Sequence, residues 1–152
     1  LDVDWPLAGR ARGPVADALA AAVANDEIAA EVGRRLAPGE MMASESYTDV
    51  HLYAFLSKGR IATRLARVHG GIHGLASLYW YRPDELRGKD FLFVTEREGM
   101  TDALRPLFAA VSEEPPLLIR RDGRIVRRVR FLRCRDLLAP EGVFTRLPNG
   151  RS

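Results

Sequence analysis

His69 and His73 stand four residues apart, a spacing that on one helix face offers two imidazoles to a metal ion. Gly70, Gly71 and Gly74 oppose a helix there, and no third ligand is close in sequence, so no metal is expected. Ser44, Ser46, Asp49 and His51 hold the letters of a nucleophile, an orienting acid and a base. No Gly-x-Ser-x-Gly elbow presents either serine, and Ser46, three residues before Asp49, reads more simply as a helix cap. A dinucleotide site needs Gly-x-Gly-x-x-Gly directly after a strand. Here the corresponding turn is Ser44-Glu45-Ser46-Tyr47, without a glycine and with a carboxylate that would repel a pyrophosphate. No catalytic residue and no cofactor is expected from these motifs.

Binding chemistry has more support. Tyr79, Trp80 and Tyr81 followed by Arg82 form the most aromatic stretch; such rings stack on sugar faces, and an arginine binds phosphate. Eight arginines fall between Arg120 and Arg135 against one acid, Asp122, and a basic segment attracts phosphate, nucleic acid or anionic lipid. Phe131 is the single aromatic in that run, which is too few for a stacking platform, so no nucleic acid is expected. Cys134, the one cysteine, excludes a disulfide framework and reads as a small buried side chain.

These residues need elements to position them. Pro14 can open a helix, and Val15, Ala18, Leu19, Ala22 and Val23, then Ile28, Val32 and Leu36, follow one apolar stripe. Asn25-Asp26-Glu27 interrupts the stripe and can divide it into two helices; Pro38-Gly39 ends it. Met41-Met42-Ala43 reads as a strand, Ser46 as the cap of a helix from Tyr47 to about Leu56, and Ile61–Val68 as a second strand. Phe91-Leu92-Phe93-Val94-Thr95 reads as a central strand covered on both faces. A helix is expected over Thr101–Val111, with Pro106 distorting it, and Pro115-Pro116 is expected to break the chain. Asp122-Gly123 between Leu117–Arg121 and Arg124–Cys134 predicts a type I′ hairpin.

Residues 1–13 read as a leading segment, 14–138 as one α/β domain and 139–152 as an irregular tail. The element order predicts a Rossmann-like three-layer domain, a mainly parallel sheet with a C-terminal antiparallel β-hairpin. Hydrophobic residues at 47% and charged residues at 28% suit a folded domain and exclude a disordered chain. No apolar run reaches the length that spans a bilayer. The chain opens at Leu1 rather than methionine, so a part upstream is expected.

The order of motifs carries a resemblance. Ser44-Glu45-Ser46-Tyr47 leads into Leu52-Tyr53-Ala54-Phe55-Leu56 and Gly59; Tyr79-Trp80 precedes Leu86-Arg87-Gly88-Lys89-Asp90-Phe91-Leu92-Phe93-Val94; Leu104-Arg105-Pro106-Leu107-Phe108 precedes a hairpin with Gly123-Arg124-Ile125-Val126-Arg127-Arg128. This series resembles the C-terminal soluble region of bacterial membrane glycosyltransferases of the dolichyl-phosphate-mannose protein mannosyltransferase-like family. The resemblance implies a multi-spanning membrane part upstream in the same polypeptide, a polyprenyl-phosphate sugar donor, and a place on the extracytoplasmic (periplasmic) face of the bacterial inner membrane. It implies a catalytic acid in a loop outside this chain, so none is carried onto it. What remains for the chain is to cap the active site, bind a lipid-linked sugar or acceptor, or hold the assembly together. Tyr47, His69, His73, Tyr79, Trp80 and Arg82 are the candidate ligand contacts, and Arg127 and Arg128 the candidate contacts for anionic lipid or phosphate. The alternative is a free-standing α/β binding module for a small anion, nucleotide or sugar, with its site in the loop from His69 to Arg82.

Overall fold

The computed structural model describes residues 14–68 and 83–143. Helix α1 spans Pro14–Arg35 without a break at Asn25-Asp26-Glu27. Ala24, Ile28 and Val32 are fully buried on either side of that interruption, and their shared packing surface keeps the helix continuous across three polar residues. Glu31 bonds both Arg34 and Arg35 in the last turn, where cations also meet the negative end of the helix. Arg35 then lies over the Phe131 ring, 4.0 Å from its centroid.

Strand β1 (Met41–Ser44) follows, then α2 (Tyr47–Leu56). Ser46 caps α2 as expected: its hydroxyl accepts from the Asp49 amide at 3.1 Å. Strand β2 is Thr63–Leu65, shorter than the run from Ile61 to Val68. A 3₁₀ turn at Pro83–Leu86 leads to β3 (Phe91–Thr95). Helix α3 is only Met100–Leu104, because Pro106 supplies no amide hydrogen to continue it; the chain turns at Arg105-Pro106-Leu107. The residues expected to complete that helix instead begin β4 (Phe108–Arg121), which pairs with β5 (Arg124–Leu137). Residues 140–143 form a last short helix, α4 (Pro140–Val143), with Val143 fully buried.

Pro115-Pro116 does not break the chain. The sheet order is β2-β1-β3-β5-β4, so β4 is an edge strand, and its pairing shifts register between Glu114 and Leu117. Prolines are tolerated at an edge bulge, where the missing amides interrupt no central ladder. The hairpin turn has φ of 49° at Asp122 and 74° at Gly123, the two positive values that a type I′ turn demands.

The sheet is mixed rather than mainly parallel. β1 is parallel to both β2 and β3, whereas β5 is antiparallel to both β3 and β4. Each face is covered. Leu92 and Val94 of β3 pack with Ile28, Val32 and Tyr53 from α1 and α2. Phe91 and Phe93 point the other way, among Met100 and Leu104 of α3 and Val143 of α4. That alternation is why all five residues of β3 are buried, as its unbroken apolar run predicts. Cys134 is fully buried on the α3 side, and its thiol is pushed up to about 12, chiefly by burial.

Candidate functional site

The parallel part of the sheet fixes where a site belongs. From β1 the chain leaves to α2 on one face, and from β3 it leaves to α3 on the opposite face. Between the carboxyl ends of two such strands the connections part and leave a crevice, the usual ligand position in open α/β sheets. β5 runs antiparallel to β3 and pairs with it from Cys134 back to Arg130, so Arg127 continues past the carboxyl end of β3.

Arg127, on the β5 side of β3, gathers the polar groups at this end of the sheet. Its Nε and Nη2 donate to Glu96 Oε1 and Oε2 at 2.9 and 3.1 Å, and its Nη1 donates to Asn25 Oδ1 at 2.6 Å. The phenol of Tyr53 lies close by, and this guanidinium partly offsets the rise that burial gives it. Glu96 stands directly after β3, Asn25 on α1 and Tyr53 on α2, so three elements and β5 converge on one guanidinium. A rigid five-donor fork suits such a task; a lysine could not meet these directions.

The surrounding electrostatics follow from burial. The Asp49 carboxyl, one helical turn before Tyr53, is raised above the usual carboxylate range by desolvation, which its bond with Ser46 and the nearby Arg127 only partly offset. The Tyr53 phenol is pushed up to about 12 by burial and then by the Asp49 charge. The rim is built by the turns after the strands. Ser46 N donates to Ser44 Oγ at 3.1 Å, Arg97 N donates to Thr95 Oγ1 at 3.0 Å, and Arg97 pairs with Glu45 at 3.1 Å.

Both serines are therefore engaged as acceptors of backbone amides, and His51 lies on the exposed side of α2. Tyr47 opens α2 beside the crevice; its side chain lies outside the described residues, as do His69, His73, Tyr79, Trp80 and Arg82. Arg127 and Arg128 part company: Arg127 turns to α1, and Arg128 is exposed beside Leu118 on the other face of the hairpin. Among the described residues no group of three His, Cys, Asp or Glu converges on a metal position.

Asn25, Tyr53 and Glu96 are members of this site that the motifs do not mark. Two carried a signal in the sequence. Asn25 stands three residues from both Ala22 and Ile28, on the apolar stripe of α1, where a polar side chain needs a buried partner. Tyr53 sits in the middle of an apolar helix, where its hydroxyl needs one too.

An open depression of about 740 Å³ lies at the opposite end of the sheet, against Ala29, Gly33, Leu36, Leu56 and Ile61. Its lining is mainly small and apolar, with Asp26, Arg34, Glu40 and Arg60 as its charged members.

No family model, no curated protein and no solved structure matches this chain. The functional reading therefore rests on the residues themselves and on their place in the fold.

Proposed function

We propose that this chain is the non-catalytic, extracytoplasmic accessory domain of a membrane glycosyltransferase that uses a polyprenyl-phosphate sugar donor. In this reading the fold is a Rossmann-like three-layer domain carrying an antiparallel hairpin, joined to a transmembrane part upstream in the same polypeptide. The observation that supports it is where the resembling motifs fall. Ser46-Tyr47 is the cap and first residue of α2, Gly59 closes α2 through its bond to the Ala54 carbonyl, Gly88-Lys89-Asp90 leads straight into β3, and Gly123-Arg124 runs from the turn of the hairpin into β5. Motifs that keep their order and also mark element ends are those that build a fold. Among the described residues no helix is long and apolar enough to cross a membrane, so anchoring belongs to the upstream part.

The test is to read the coding sequence upstream of Leu1 and fractionate the full-length product. Several apolar spans and recovery in the membrane fraction are expected. A start codon directly before Leu1, with the product in the aqueous fraction, would overturn the reading.

A second reading, a free-standing α/β module for a small anion, nucleotide or sugar, draws on the crevice between the carboxyl ends of β1 and β3. A saturable rise in melting temperature with such a ligand would favour it, since a ligand that binds only the folded state stabilises that state by mass action.

A further inference from the structure

The arginines of the β4–β5 hairpin divide into two sets. Arg121, Arg127, Arg130, Arg133 and Arg135 each hold at least one acid: Glu27, Glu96, Glu98, Glu40 and Asp90 respectively. Arg120, Arg124 and Arg128 hold none among the described residues, and all three are exposed. The unpaired set lies at the far end of the hairpin. β3 pairs with β5 only as far as Arg130, whereas β4 stays paired with β5 down to Arg121 and Arg124, so the tip projects beyond the sheet.

On one side the tip is covered. Leu117, Ile119, Val126 and Val129 pack towards α1. Side chains alternate along a strand, so Leu118 and Arg120, on either side of the buried Ile119, point the other way. Their cross-strand partners are Arg128 and Ile125, which places two arginines and two aliphatic side chains on the side away from α1. Ile125 is 43% exposed, one of few large apolar residues so open, and Arg124 adjoins it at the turn. Asp122 is the one acid in the turn and leaves the tip strongly basic.

We propose that this hairpin tip docks on an anionic lipid surface, with Arg120, Arg124 and Arg128 at the headgroups and Ile125 entering the boundary below them. Basic side chains around an aliphatic one match the layered polarity of a membrane interface. A nucleic acid is the poorer match: it calls for exposed rings to stack on, and the two aromatics of this hairpin, Phe108 and Phe131, are both buried, Phe131 under Arg35. The inference uses only the exposure and pairing of the hairpin, so it stands or falls separately from the accessory-domain reading.

The full chain is to be sedimented with vesicles of phosphatidylcholine alone and of phosphatidylcholine with phosphatidylglycerol, at low and high salt. Binding is expected only to the phosphatidylglycerol vesicles and weakens with salt. Arginine near an anionic leaflet strengthens binding about fivefold per residue, so Arg120→Gln, Arg124→Gln and Arg128→Gln together lower it on the order of 100-fold. Ile125→Ser, which keeps every charge, also lowers it. A charge-matched control, Lys58→Gln with Arg60→Gln and Arg105→Gln, binds like the parent. No binding to phosphatidylglycerol vesicles, an equal loss in the control, or retention of a single-stranded oligonucleotide with the vesicles ignored would each overturn the proposal. Vesicle docking by a chain whose gene encodes no upstream spans would keep this proposal and remove the accessory-domain reading; the reverse pair of results would do the opposite.

Discussion

Arg127 and Glu96 meet as a two-pronged pair, guanidinium to carboxylate at 2.9 and 3.1 Å, across the gap between β5 and the end of β3. The arginine side chain is 12% exposed and the glutamate 43%, so the pair has one foot in the interior and one in water. Removing each side therefore has unequal effects. Arg127→Ala leaves Asn25 without its donor and Glu96 without its partner, and is expected to cost about 2 kcal/mol, in the range for charged hydrogen bonds. Glu96→Gln keeps one acceptor and is screened by solvent, so about 0.5 kcal/mol is expected. Urea unfolding of both variants and of the double variant measures the coupling; equal losses would show that Glu96, not the inner partners, holds the arginine.

Glu40 and Arg133 form the most deeply buried ion pair among the described residues, with the glutamate side chain 2% exposed. Glu40 also accepts from the Ala37 amide at 2.8 Å, and Arg133 further bonds Glu114 and the Arg35 carbonyl. The pair ties the end of α1 to β5. Glu40→Ala is expected to cost about 2 kcal/mol, because the Ala37 amide loses its acceptor and Arg133 keeps only Glu114 and the Arg35 carbonyl. Replacing both residues by Met restores most of the loss if charge burial, rather than shape, sets the penalty; chemical denaturation of the two variants decides it.

Asp49 gives a pH dependence of known sign. Burial raises its carboxyl in the folded state, so folding disfavours the charged form. As pH rises through the usual carboxylate range the unfolded chain ionises first, and stability falls until the folded carboxyl has ionised as well. Asp49→Asn removes this loss while keeping the backbone amide that Ser46 caps. The variant is expected to melt higher than the parent at pH 7, with the gap closing below the usual carboxylate range. A lower melting temperature at pH 7 would show that attraction to Arg127 outweighs burial.

Gly123 isolates backbone strain. It holds φ of 74°, and a Cβ built on it meets nothing within 4 Å. Any cost of Gly123→Ala is therefore conformational and is expected to be about 1 kcal/mol. Gly123→Asn is expected to cost less, since Asn tolerates this region. Thermal unfolding that ranks Ala and Asn equally would place the cost elsewhere.

Local signals were readable in the sequence, and long-range ones were not. Phe91–Val94 marked the central strand because an unbroken apolar run allows little else, and Asp122-Gly123 marked its turn through the φ values it permits. Ser46 marked the head of α2 by the same local logic. By contrast, Phe108–Val111 carries a pattern that serves a helix or a strand, and only pairing with β5 decides it. Pro115-Pro116 reads as a break until the sheet order makes β4 an edge. Arg127 and Arg128 are neighbours of one type, and nothing local says that the first turns to α1 and the second to solvent. The crevice was half legible: Asn25 and Tyr53 were polar atoms in apolar surroundings, yet Glu96 joins them only because β5 overshoots β3.

The two prolines of β4 also bear on how this chain behaves in company. An outermost strand of fourteen residues could serve as a template on which further strands zip up, copy upon copy, into fibrils. Pro115 and Pro116 have no amide hydrogen to offer, and the bulge beside them bends the strand midway. An arriving strand finds a short row of donors on either side of a gap and no continuous rail. The same dipeptide that makes the sequence look interrupted makes this outermost strand a poor template for another.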